Sequence, residues 1–208
     1  MKLKKGSIFI IIGLLLLAAA LFLTCFNIYD QFRAEHSVEN IMDQLSRQDG
    51  GRDLSAGEIP DYILDPDMEM PVKTADGRDY IGTLEIPSLN LTLPILSSWS
   101  YDNLRIAPCR YTGSAYRNDM VLAAHNYPSH FGRLKHLREG EEVIFTDEAG
   151  NRFTYTAVVR ETLMPEAIDE MTGKEEEDWD LTLFTCTIGG RSRVTVRCVL
   201  SEKGKYFS

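Results

Sequence analysis

Basic clusters, histidine and cysteine are all scarce in this chain. Its 208 residues carry 22 Lys and Arg against 31 Asp and Glu, a formal net charge of -9, with four cysteines and four histidines. Nucleic-acid phosphates are bound by clustered Lys and Arg, and the absence of such clusters argues against nucleic acid as a partner. No internal repeat is visible, and no metal or cofactor is expected. Long apolar runs are missing too, with one exception near the N-terminus.

That exception is SIFIIIGLLLLAAALFLTCF, from Ser7 to Phe26, which carries no charge. As a helix it would run ~30 Å, the thickness of a bilayer's hydrocarbon. Lys2, Lys4 and Lys5 precede it, and Asp30, Arg33 and Glu35 follow it. The positive-inside bias then keeps the N-terminus cytoplasmic and puts everything after residue 30 outside. A cleaved signal peptide is the competing reading, because Ala18, Ala19 and Ala20 mimic a cleavage site. Leu21, Phe22 and Leu23 continue the apolar run past them, which suits an uncleaved anchor.

Three parts are expected: residues 1–28 as basic tip and membrane anchor, 29–79 as stem and acidic linker, and 80–208 as one globular domain. The stem, QFRAEHSVENIMDQLSRQ, lacks Gly and Pro and reads as a helix that acts as a spacer. Residues 49–79 hold Gly50, Gly51, Pro60, Pro66, Pro71 and many acids, a linker composition. From Tyr80 the pattern changes to short runs of period two. They are YIGTLEIP, LNLTLPIL with Leu89, Leu91, Leu93 and Ile95 on one face, then 120–125, 141–146, 153–163, 181–186 and 193–200. FGRLKHL, at 131–137, suggests one short helix. Regular strands with turns such as DEAGN between them indicate a mostly antiparallel barrel or sandwich.

Cys25 lies in the apolar run, which leaves Cys109, Cys186 and Cys198 outside. An odd number means that at least one stays free or pairs between chains, and a free thiol in an oxidising compartment needs a reason. A Cys109–Cys198 disulfide is one reading. Val194, Val196 and Cys198 alternate onto one face, however, so Cys198 is more simply a core residue.

Cys186 ends the strand LTLFTC and is followed by TIGGRSR. A two-residue hairpin turn at Gly189–Gly190 would set Ile188 against Arg191, Thr187 against Ser192 and Cys186 against Arg193. Cross-strand partners hold their Cβ atoms ~5 Å apart, which stands a guanidinium beside the thiol. A fixed positive charge favours thiolate, and arginine donors can hold a developing oxyanion, so the pair suits acyl transfer. Arg191 is the second choice. Arg197 would face Thr182, ~13 Å along the strand. The same spacing fits a solvated arginine and a small buried cysteine. Acyl transfer also needs a proton donor near neutral pH. His36 on the stem and His136 in FGRLKHL are poorly placed, whereas His125 is presented at the end of the strand MVLAA, with His130 in the same loop as its rival.

Taken in order, IGTLEIP with LNLTLPI, AAHN with FGRLKHLREGEEV, and LTLFTCT with a downstream arginine resemble the sortases over about Tyr80 to Leu200. LTLFTC is similar to that family's TLxTC signature. The resemblance implies an eight-stranded β-barrel with short helices, Cys186 as nucleophile, His125 as general acid and base, and Arg193 as the oxyanion or positioning arginine. Thr185, Trp179 and Arg191 are assigned to substrate binding, although Trp179 fits core packing as well. The implied reaction is transpeptidation of an LPXTG-like sorting signal on secreted proteins, with an amine of the cell wall or a pilin lysine as acceptor. Pilin-polymerising members usually carry a C-terminal membrane segment that SEKGKYFS does not supply, which tilts the expectation towards the wall. DYILDPDMEMP, with Asp65 and Pro66, faintly resembles the lid of those members, a plain linker being the other reading. The alternatives to a transpeptidase are an inert anchored β-domain that binds surface proteins or wall polymer, and a hydrolase with water in place of the amine.

Overall fold

The structure is a computed structural model that describes residues 5–48, 59–172, 179–187 and 189–201. The chain divides into two units, residues 1–33 and 34–208. Helix α1 (Lys5–Gln48) carries the apolar run and the stem without a break. In the first unit its side chains from Ile8 onward are almost all exposed, and the helix is long and apolar enough to cross a membrane.

The second unit is a β-barrel. Strands β1 (Lys73–Ala75), β2 (Arg78–Ile86), β3 (Leu91–Leu96), β4 (Cys109–Thr112), β5 (Met120–Ala124), β6 (Glu142–Asp147), β7 (Arg152–Leu163), β8 (Leu181–Cys186) and β9 (Arg193–Leu200) form one sheet. Their order is β1-β2-β3-β4-β5-β8-β9-β7-β6, and β6 pairs back onto β2. Strands β2 to β9 are thus a closed barrel of eight, with β1 added to the start of β2, which leaves the barrel itself no open edge. Closure falls at Gly82, which pairs with Ile95 on one side and Asp147 on the other. A Cβ there would lie 2.1 Å from the Thr146 carbonyl oxygen, so only glycine fits.

The inward residues are those that the period-two pattern marks: Leu84 and Ile86, Leu91, Leu93 and Ile95, Met120 and Leu122, Leu181 and Leu183, Val196 and Cys198. Leu89 departs from its expected strand. It ends a 3-10 turn (Pro87–Leu89), and left-handed Asn90 redirects the chain before β3. FGRLKHL shortens to a 3-10 turn at Leu134–His136.

Two strand pairs are parallel, β3 with β4 and β5 with β8, where alternation alone suggested mostly antiparallel neighbours. Strand β4 is absent from the sequence reading because only Cys109 of its four residues is buried. The stem is also more than a spacer. Ala34, Val38, Ile41 and Leu45 are buried; Ile41 and Leu45 join a cluster with Tyr80, Leu96, Cys109 and Ala123 on the barrel's outer face. Their spacing is one helical stripe.

The acidic segment is docked through α2 (Asp61–Leu64), and a single turn, α3 (Tyr101–Leu104), lies between β3 and β4. Tyr62 stacks on Tyr116 with centroids 4.6 Å apart and tilts against Phe153 at 5.3 Å. Phe153 is the second residue of β7, whereas Leu163, at the strand's other end, pairs with Arg193. Tyr62, in the segment for which plain linker and lid are the two readings, therefore packs at the barrel end away from Cys186. Residues 49–58 of that segment lie outside the described residues.

Candidate active site

The parallel pairing of β5 with β8 runs in register from Met120 against Leu181 to Ala124 against Thr185. Met120, Leu122 and Ala124 point into the barrel, as do Leu181 and Leu183. The next residues, His125 and Cys186, thus lie on the outer face at neighbouring strand ends, where strands are ~4.8 Å apart. Across β8 and β9 the register runs from Leu181 against Cys198 to Cys186 against Arg193, and Arg193 pairs in turn with Leu163 of β7. His125, Cys186 and Arg193 consequently occupy one row across three adjacent strands.

The expected turn is displaced, although the expected register holds. The Gly190 N–H donates to the Thr187 carbonyl at 2.8 Å, so the turn spans residues 187–190 with Gly189 at its third position. Gly189 has φ +83°, which that position of such a turn requires of glycine. The Thr187 N–H donates to the Ser192 carbonyl at 2.9 Å and closes the loop. Ile188, expected opposite Arg191, lies outside the described residues; Arg191 is exposed in the loop. Arg193 Nη1 donates to the Gly190 and Ser192 carbonyls, each at 3.1 Å, which holds the guanidinium against its own loop.

All four cysteines are free, and the expectation of a core role for Cys198 holds. Cys109 and Cys198 are fully buried in different clusters, one outside and one inside the barrel. Burial pushes the Cys109 thiol up to about 12 and raises Cys198 as well. Cys186 is half-buried, the one cysteine of the barrel that reaches solvent.

Of the loop histidines, His130 is fully buried and His125 half-buried. Tyr127 lies between them, its ring 5.0 Å from His125 and 5.3 Å from His130. The loop is curled by the Phe131 N–H on the His125 carbonyl at 3.3 Å, and by His130 and Gly132 on the Tyr127 carbonyl at 2.9 Å each. His136 is exposed in its 3-10 turn and His36 on the stem.

Two of the residues assigned to substrate binding make contacts within the fold. Thr185 is 2% exposed and donates Oγ1 to the Ala124 carbonyl at 2.8 Å. Alternation turns it to the barrel interior, where it ties β8 to β5 one residue before the row. Trp179 is half-buried, and the Arg197 guanidinium sits 5.8 Å from its ring centroid. Sequence reasoning missed an aromatic file on the outer face: Phe184 meets Tyr111 at 5.5 Å, Tyr111 meets Trp99 at 5.7 Å, and Trp99 meets Tyr101 at 5.2 Å. Phe184 could have been found, since it lies two residues before Cys186 and shares its face.

A closed eight-stranded barrel thus presents a half-buried thiol, a histidine and an arginine in one row on its outer face. The Sortase domain model matches residues 84–201, more than half of the chain, and the chain belongs to the sortase family. It is 25% identical to Sortase A of Bacillus anthracis over 191 residues, 88% of this chain and 89% of that one. Among solved structures it is similar to sortase C of Clostridium perfringens with the C-terminal cell wall sorting motif, at TM-score 0.58 and 21% identity, over 79% of this chain and 99% of that chain. It is also similar to Sortase C1 of GBS Pilus Island 1, at TM-score 0.52 and 22% identity, over 61% of this chain and 66% of that chain. At these identities the structural likenesses speak for the fold.

Proposed function

We propose that this chain is a membrane-anchored sortase-type cysteine transpeptidase, with Cys186 as nucleophile, His125 as general acid and base, and Arg193 as the oxyanion-stabilising arginine. The observation that carries the reading is the single row formed by these residues through two independent strand registers. Cys186 Sγ, as thiolate, attacks the Thr carbonyl carbon of an LPXTG-like sorting signal. Negative charge that develops on the carbonyl oxygen is met by the Arg193 guanidinium. The C–N bond breaks, the imidazolium of His125 gives its proton to the departing Gly amine, and a thioester to Cys186 remains. An acceptor amine then attacks the thioester carbon, returns a proton to His125 and expels the thiolate, so that an amide bond is regained.

The substrates are secreted proteins with a C-terminal sorting signal, and the acceptor is an amine of a cell-wall precursor or a pilin lysine. The apolar half of α1 supports a single-pass anchor, with the N-terminus cytoplasmic and the barrel outside, in a Gram-positive-type envelope. The test is cleavage of an LPXTG-type peptide library by the full chain in detergent, with and without a free amine. Cleavage that turns into transfer when amine is added supports the proposal. Release of acid alone in both conditions favours a hydrolase, and no cleavage of any peptide favours an inert binding domain.

A further inference from the structure

Arg197 lies four residues beyond Arg193 on β9, on the same outer face, and is 3% exposed. Nε donates to Glu161 Oε1 at 2.9 Å, Nη1 to Thr182 Oγ1 and to the Met171 carbonyl at 3.1 Å each, and Nη2 to the Glu170 carbonyl. Every nitrogen of the guanidinium is engaged. A buried arginine needs a counter-charge, and Glu161 supplies it. That does not account for the two carbonyls. They belong to the last turn of α4 (Ile168–Thr172), where carbonyls have no partner within the helix. A helix of five residues does not stand alone in water. Arg197 therefore caps α4 from the floor on which it lies.

The position of α4 matters because of where its segment begins. Strand β7 ends at Leu163, the partner of Arg193 in the row of Cys186. The chain turns at once, with the Ala167 N–H on the Met164 carbonyl at 3.1 Å, and α4 then reaches Arg197, which itself holds Thr182. From the row of Cys186 to that of Thr182 is ~13 Å of strand. Residues 164–172 thus border the outer face over the length of about four extended peptide residues. Within this segment Met171 is 4% exposed.

We propose that Arg197 is a positioning residue for substrate specificity: it fixes α4 as the wall along which the peptide lies when its scissile bond is at Cys186, and takes no part in the thiol chemistry. The inference rests on the transpeptidase reading. It is tested on the full chain in detergent with the best-cleaved peptide of an LPXTG-type library. Arg197→Lys keeps the charge opposite Glu161 but cannot hold both carbonyls and Thr182, and is expected to raise KM at least tenfold. Its kcat stays within about threefold, the alkylation rate of Cys186 by iodoacetamide is unchanged, and amide exchange across residues 168–171 quickens. Glu161→Gln breaks the ion pair and leaves the carbonyl bonds, and leaves KM unchanged. Thr182→Val, nearly isosteric, raises KM about threefold at constant kcat and decides the matter if Arg197→Lys does not fold. An unchanged KM in Arg197→Lys, an equal rise in Glu161→Gln, or a loss of alkylation rate together with KM overturns the inference and leaves the transpeptidase reading intact. A wild type that cleaves no peptide removes both.

Discussion

Replacing Arg193 by Ala is expected to cut kcat for sorting-signal cleavage about 10²- to 10³-fold, the cost of losing one preorganised oxyanion donor, ~3–4 kcal/mol. Folding should change much less. Among the described residues the side chain makes two bonds, both from Nη1, to the Gly190 and Ser192 carbonyls. Gly190 is exposed and Ser192 half-buried, so water can replace the arginine at little cost. With a net value of ~0.5–1.5 kcal/mol for each such bond, the total is at most ~3 kcal/mol and nearer ~1 kcal/mol at a wet loop. Among the described residues Nε and Nη2 are not engaged, which leaves donors for an oxyanion. Arg193→Lys keeps a charge but loses the planar fork and should fall between wild type and Ala. The assay is peptide cleavage by the full chain in detergent, with thermal melting beside it. A kcat for Arg193→Ala within threefold of wild type, or a loss of rate that simply follows a loss of folded protein, refutes the reasoning.

At mildly alkaline pH, iodoacetamide should modify Cys186 and leave Cys109 and Cys198 untouched, because burial holds Cys109 up near 12 and Cys198 raised as well; peptide mass mapping checks this, and equal labelling of the three would contradict the placement. Ile41→Ala should cost ~2–4 kcal/mol of barrel stability because Ile41 is 3% exposed on the outer-face cluster; an unchanged urea midpoint would return the stem to a spacer. Burial pushes the Tyr80 phenol up to about 12, and Tyr116 and Tyr155 are raised too, Tyr116 also by the Asp147 carboxylate that its hydroxyl meets at 2.6 Å. The fold favours the neutral phenol, so this stability is complete below the unfolded value of ~10 and is lost as pH rises beyond it. A urea midpoint that is flat from about pH 9.5 to 11.5 would contradict that.

Sequence reading fared best where one local rule decides the geometry. Opposing Cys186 to Arg193 needed only a count across TIGGRSR, and the register survives a turn that starts one residue earlier than expected, because the loop is still closed by Thr187 and Ser192. What brings His125 to Cys186 is a parallel pairing of strands whose first residues lie 61 positions apart, and no local pattern encodes that. Thr185 shows the same limit for a related reason. Its hydroxyl reads as a polar contact until the parity of β8 turns it inward onto Ala124. Arg197 was placed correctly against Thr182, but its carbonyl partners come from a helix too short and too acidic to stand out in EAIDEMTGKEEEDWD. The stem's buried stripe was present at positions 34, 38, 41 and 45 and is a periodicity that could have been read.

The most direct test of the Cys186–His125–Arg193 row is an intact-mass measurement on the full chain incubated with its best sorting-signal peptide and then quenched in acid. The expected result is a mass increase equal to the acyl fragment, mapped to the peptide that contains Cys186, absent in Cys186→Ala and discharged by added amine. Peptide cleavage with no adduct on Cys186, or with an adduct on another residue, would contradict the account.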